Sequence, residues 1–244
     1  MIEKKINRHF RRFEFKYFLE KSLSDFLIPE LMNYMEWDPY IGDKDYYECH
    51  SLYLDNKNLK CYHEKIDGLL NRKKVRIRTY KKNYGNEDNL FFELKRKSGE
   101  IVLKDREIIP GKFLDIFLEN PFSLLKEKTF DQEFLNEFIF ETVNYQLKPK
   151  CLVSYKRKPF FAKNNPGFRV TFDYNLEFAT ASGSNYNQVF TPMHEEFIII
   201  EVKFNGTLPH WFHSIIENYR LKQTTSCKYC FGLDTLSTQS KFVF

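Results

Sequence analysis

No apolar run in the sequence exceeds the four residues Phe197–Ile200, far short of the ~20 that a bilayer-spanning helix needs. The opening stretch MIEKKINRHF has no apolar segment of the kind a secretory signal requires, so none is expected. Glycine and proline are scarce, nine of each in 244 residues, which excludes collagen-like and low-complexity character. The five cysteines form an odd set without framework spacing. That predicts free thiols, a reducing compartment and a cytoplasmic location. No G-x-x-x-x-G-K-[ST] occurs, so P-loop chemistry is out. The net charge is only +5, too small to name a partner by its size. Hydrophobic residues at 42% and aromatics at 18% supply a core, and the length fits a single domain over 1–244.

Periodicity predicts strands at 9–16, 50–55, 74–80, 90–97, 100–109, 150–156, 168–174 and 197–204. Helical spacing covers Tyr17–Met35, with Pro29 as a break or a second start, and also Phe113–Glu119, Asp131–Tyr145 and Leu208–Tyr219. The count is eight strands with inserted helices, an α+β or closed-barrel pattern.

Residues i and i+2 of a strand share a face. Arg12, Glu14 and Lys16 therefore share one, opposite Phe13 and Phe15. The same alternation pairs Arg76 with Arg78, Glu93 with Lys95 and Lys97, and Lys104 with Arg106. It also pairs Tyr155 with Arg157, groups Arg169 with Thr171 and Asp173, and joins Glu201 to Lys203. Eleven basic residues stand against four acidic ones on these faces, an excess greater than that of the whole chain. A single charged strand face is ordinary in an antiparallel sheet with one wet side. Repetition over seven strands, each with a bulky apolar opposite face for helices to cover, predicts that the charged faces converge in a closed sheet. Crowded like charges repel unless a polyanion lies among them. Arginine and lysine suit phosphate, and the few carboxylates suit a hard divalent cation bridging phosphate oxygens.

These segments, read in order, are R-x-E-x-K-Y at Arg12–Tyr17, S-L-Y-L-D at Ser51–Asp55, R-I-R at Arg76–Arg78 and E-L-K at Glu93–Lys95. They continue as L-K-D-R at Leu103–Arg106, Y-K-R-K-P-F at Tyr155–Phe160, R-V-T-F-D at Arg169–Asp173, E-V-K at Glu201–Lys203 and C-K-Y at Cys227–Tyr229. Together they resemble the triphosphate tunnel metalloenzymes, or CYTH superfamily, and most of all its VTC branch, the polyphosphate polymerase domain of the vacuolar transporter chaperone complex.

The resemblance implies an eight-stranded antiparallel β-tunnel, a closed barrel with helices packed outside. It implies ATP-dependent transfer of a γ-phosphoryl group to a growing polyphosphate chain. Lys16, Arg76, Arg78, Lys95, Lys104 and Arg157 would hold the reacting phosphates. Arg12, Arg106, Tyr155, Arg169, Lys203 and Lys228 would bind the rest of the polyanion. Glu201, with Glu14, would carry Mn²⁺ or Mg²⁺. The partners implied are ATP and polyphosphate or triphosphate, with a membrane partner left open. The family usually has Ser where Cys227 stands here, with Ser226 one position earlier.

A metal-dependent triphosphatase uses the same tunnel with water as acceptor, and a non-catalytic polyphosphate-binding module needs only the cations. Nucleic acid is a poor fit, because the aromatic residues lie opposite the basic ones. Cys227 and Cys230 make a lone C-x-x-C, two ligands short of a zinc site. His210 and His213 read as a surface or packed pair on a helix rather than a metal site.

Overall fold

The computed structural model describes residues 12–42, 44–99, 101–181, 183–186, 188–193, 196–225 and 227–240. Eight long strands form its frame. They are β1 (Arg12–Glu20), β3 (Tyr47–Asp55), β4 (Arg72–Thr79), β5 (Asn89–Ser98), β6 (Ile101–Pro110), β7 (Lys148–Ala162), β8 (Asn165–Thr180) and β10 (Phe197–Asn205). Three short strands join them: β2 (Met35–Trp37), β9 (Thr191–Pro192) and β11 (Lys222–Gln223). The main path of the eleven-stranded sheet runs β11-β1-β10-β8-β7-β3-β4-β5-β6, with β2 on β7 and β9 on β8. Every recorded pairing is antiparallel.

The expected closed barrel is corrected here. Among the described residues no ladder pairs β1 with β6, so the hydrogen-bonded sheet is open. It curls instead, and the two strands come near one another.

Alternation sets the packing. The even-numbered Leu52, Leu54, Phe92 and Leu94 lie in one core with Val75 and Ile77, covered by α3 (Phe113–Glu119) and α4 (Gln132–Asn144) through Leu114, Phe117, Leu135 and Phe138. A second core joins Tyr17, Val170, Phe172, Ile200 and Val202 to α1 (Ser24–Leu31) and α5 (His210–Asn218) through Leu27, Leu31, Phe212 and Ile215. Burying such side chains supplies about 1.5–3 kcal/mol each before entropy is counted.

The expected helix over 17–35 is shorter, because Tyr17 and Leu19 continue the strand opposite Ile200 and Ile198. Met35 belongs to β2, opposite Ala162. Pro29 sits inside α1 without breaking it. The strand predicted from His9 has its first three residues outside the described part.

Two helices were not foreseen, α2 (Lys60–Ile66) and α6 (Lys228–Ser240). The second corrects the picture of helices wholly outside. Its Tyr229 and Cys230 pack with Tyr53, Cys151, Val153, Tyr155 and Phe178, on the face that carries the charges. A register shift between Ser154 and Lys156 puts an extra residue into β8 and turns its Leu176 and Phe178 inward beside Cys151 and Val153 of β7, giving α6 something to cover.

Candidate polyanion-binding cleft

The charged faces converge as one network. On β7 and β8, Arg157 Nε donates to Asp173 Oδ1 at 2.6 Å and Nη2 donates to Oδ2 at 2.8 Å. Lys228 Nζ, at the start of α6, lies 2.6 Å from the same Oδ2. Arg157 also reaches Glu201 Oε2 at 3.7 Å, and Glu201 pairs with Lys203. On β1, Glu14 meets Lys16 at 3.1 Å. It also accepts from Lys95 Nζ of β5 at 3.1 Å, a contact across the open seam.

A second cluster lies on β3 to β7. Arg76 Nε donates to Glu93 Oε2 at 2.5 Å and Nη1 donates to the Tyr53 hydroxyl at 3.1 Å. Lys104 of β6 pairs with the same Glu93. Arg78 donates to Ser51 Oγ and to the Tyr155 hydroxyl oxygen, each at 3.0 Å. Tyr155 ties the clusters together, because its ring also faces Arg157 at 5.2 Å and Lys228 at 5.0 Å.

Thus Lys16, Arg76, Arg78, Lys95, Lys104, Arg157, Glu201, Glu14, Tyr155, Lys203 and Lys228 are brought together. Two others sit at the margin. Arg169 is 47% exposed with Asp38 at 3.9 Å. Arg106 is exposed, its guanidinium 5.3 Å from the Phe91 ring. Arg12 pairs with Asn205 in the β1–β10 ladder, and its side chain lies outside the described residues, as does Ser226. The site uses four residues that were not assigned roles from sequence. Ser51, Tyr53, Glu93 and Asp173 supply the hydroxyls and carboxylates that hold the cations. Strand alternation placed Glu93 and Asp173 on these faces and could have found them.

The electrostatics follow from this crowding. Burial alone would raise the Glu93 carboxyl, but Arg76, Arg78 and Lys104 hold it well below the usual range. Burial and the mutual repulsion with Glu201 oppose ionisation of Glu14, yet Lys16, Lys95 and Lys203 keep it ionised. Glu201 is likewise held low against its burial by Lys203, Arg157, Lys228 and Lys16. Two ammonium groups lose the contest. Burial, with Arg76 and Arg78 nearby, drops Lys104 to about 7. Burial drops Lys95 to about 8, with Lys16 and Lys203 adding to the effect against Glu14. Each already has one carboxylate, Glu93 for Lys104 and Glu14 for Lys95, and a further anion nearby would raise both.

Asp55, of the S-L-Y-L-D segment, has a structural task. Its carboxylate accepts from the backbone N–H of Cys61 at 3.0 Å and of Tyr62 at 3.2 Å, and from the Tyr229 hydroxyl at 2.7 Å. It thereby fixes α2 and α6 to the end of β3. Among the described residues no helix is long and apolar enough to cross a membrane.

The VTC domain profile matches residues 11–237. The chain is similar to the vacuolar transporter chaperone complex subunit 4 of Trypanosoma brucei brucei, with 23% identity over 228 residues. That match covers 79% of this chain but only 29% of the relative's length. Among solved structures, a Bacillus halodurans protein described as a candidate adenylate cyclase aligns at TM-score 0.48 and 16% identity, over 88% of this chain and 93% of its own. The PH1819 protein of Pyrococcus horikoshii OT3 aligns at TM-score 0.46 and 13% identity, over 91% and 98%. With its family profile running from the first long strand to the last helix, the chain belongs to the VTC domain family.

Proposed function

We propose that the chain is a polyphosphate polymerase that transfers the γ-phosphoryl group of ATP to the end of a polyphosphate chain. The observation that carries this reading is the convergence of Lys16, Arg76, Arg78, Lys95, Lys104, Arg157, Lys203 and Lys228, from six strands and one helix, around four carboxylates. Such a surface fits a run of phosphates better than it fits a single one.

The attacking group is a terminal phosphate oxygen, already an anion, so no side chain has to remove a proton from it. That oxygen bonds to the γ-phosphorus as the bond to the β,γ-bridging oxygen breaks, and ADP leaves. The protein's part is positioning and neutralisation of the phosphoryl oxygens. Arg76, Arg78 and Arg157 offer fixed guanidinium forks, held by Glu93, Ser51 and Asp173. Lys95 and Lys104 gain charge as the anion arrives.

For Mn²⁺ or Mg²⁺ the fitting oxygens are Glu14 and Glu201, both ionised. Beside Glu201 in the ladder is Thr171, whose buried Oγ1 has no hydrogen-bond partner among the described residues. No group of three or more His, Cys, Asp or Glu among the described residues makes a metal cage. The fit is therefore to a cation that shares its shell with phosphate oxygens, as Mg²⁺ does. Such an ion would supply charge neutralisation between phosphates.

The test is incubation with ATP and Mn²⁺, with ADP, free phosphate and long-chain polyphosphate scored separately. ADP with long chains is expected. Free phosphate without chains would replace the reading with a triphosphatase, and tight polyphosphate binding with neither product would leave a binding module.

A further inference from the structure

Cys227 immediately precedes α6, and its carbonyl accepts from the Phe231 N–H at 2.9 Å. Cys227 and Cys230 therefore stand one turn apart on the same side of the helix start. At that spacing Cys230 is near enough to lower the Cys227 thiol. Lys74 Nζ donates to Cys227 Sγ at 2.7 Å, and the Lys16 and Lys65 ammonium groups also feel the Cys227 charge. Cys227 is half-buried and Cys230 is buried.

We propose that Cys227 and Cys230 are a thiol–disulfide pair in the wall of the cleft, closed by a small-molecule disulfide such as oxidised glutathione. A half-buried cysteine at a helix N-terminus beside cations is the setting of a reactive thiolate. The hydrogen bond from Cys230, then Lys74, hold the Cys227 thiol well below its ordinary range against its burial. Burial pushes Cys151 and Cys61 the other way, each up to about 12.

The Cys227 thiolate attacks one sulfur of the oxidant, forms a mixed disulfide and expels one thiolate. Cys230 gives its proton to that thiolate and attacks the Cys227 sulfur. The second thiolate leaves and takes a proton from water. One disulfide is reduced to two thiols while one forms in the protein. Closure removes the anion that holds Lys74, two residues from Arg76 on the same strand face. If the cleft holds polyphosphate, as proposed above, the oxidised chain should bind tripolyphosphate severalfold more tightly.

The experiment treats the reduced chain with oxidised glutathione at neutral pH, quenches with acid, and maps disulfides by mass spectrometry. Loss of two hydrogens located at Cys227–Cys230 is expected. Cys230→Ser should instead hold a persistent glutathione adduct on Cys227. An unchanged mass, adducts that persist in the unsubstituted chain, or a bridge to Cys151 would each overturn the pair. Tripolyphosphate affinity of the two forms is measured in parallel. Failure of both forms to bind would count against the polyphosphate reading and leave the mapped bridge standing, whereas equal affinities would remove the role given to Lys74.

Discussion

Arg157 and Asp173 meet as a two-pronged ion pair, at 2.6 and 2.8 Å, almost wholly shielded from solvent. Asp173 is shared with Lys228, so one carboxylate balances two cations. Asp173→Ala should leave Lys228 without its ion-pair partner and Arg157 with only the longer contact to Glu201, and cost about 3–5 kcal/mol of stability, read from urea unfolding. Saturating tripolyphosphate should restore more stability to this variant than it adds to the unsubstituted chain. A loss below about 1 kcal/mol would mean that water reaches the pair freely.

Lys95→Ala is the cleaner probe of turnover. Glu14 keeps Lys16 as a partner, so no carboxylate is stranded. ADP formation should fall about 100-fold, the order expected when one preorganised donor to a phosphoryl oxygen is lost. The urea midpoint should move little. Near-normal turnover would take Lys95 out of the site.

Lys104, lowered to about 7, and Lys95, lowered to about 8, should make the proposed polyphosphate binding sensitive to pH. A bound polyphosphate favours their charged forms, so binding takes up protons and affinity falls as pH rises through about 7 to 8. Lys104→Arg stays charged and should flatten the lower part of that profile. Stability of the unliganded chain runs the other way. The folded values are depressed, so above pH ~7 the unfolded chain binds more protons, and the contribution of these groups to stability rises with pH. Calorimetric titration in buffers of different ionisation heat checks the proton uptake, and an affinity independent of pH over this window would contradict it.

Gly232 lies in α6 where an added Cβ would sit 2.7 Å from Cys151 Sγ and 2.8 Å from a Phe178 ring carbon. Alanine in place of glycine ordinarily stabilises a helix by about 1 kcal/mol. Here Gly232→Ala should destabilise by about 1–3 kcal/mol, because α6 must lift from β7 and β8. A raised melting temperature would show that the helix does not press on the sheet.

Much of this was legible before any coordinates. Strand alternation placed Arg76, Arg78, Lys104 and Glu201 on charged faces, because period two survives without a register shift along β4, β6 and β10. It failed where the chain departs from that period. The register shift after Ser154 turned β8 over and made an apolar face for α6, whose sequence KYCFGLDTLSTQS carries no strong apolar stripe. Helix α2 was hidden because its start is fixed by the distant Asp55 carboxylate and by Leu59 at positive φ, with no side-chain cap of its own. The convergence of charge could be inferred from sequence, but the open seam could not, because ladder closure depends on how far the sheet coils.

That seam has a mechanical consequence. Between β1 and β6 the wall is joined through the Lys95–Glu14 contact, with no backbone rungs among the described residues. Backbone rungs fix a circumference, whereas a flexible ammonium–carboxylate clasp lets it breathe. Added electrolyte loosens such a clasp. The seam can thus open without unzipping any pair of strands.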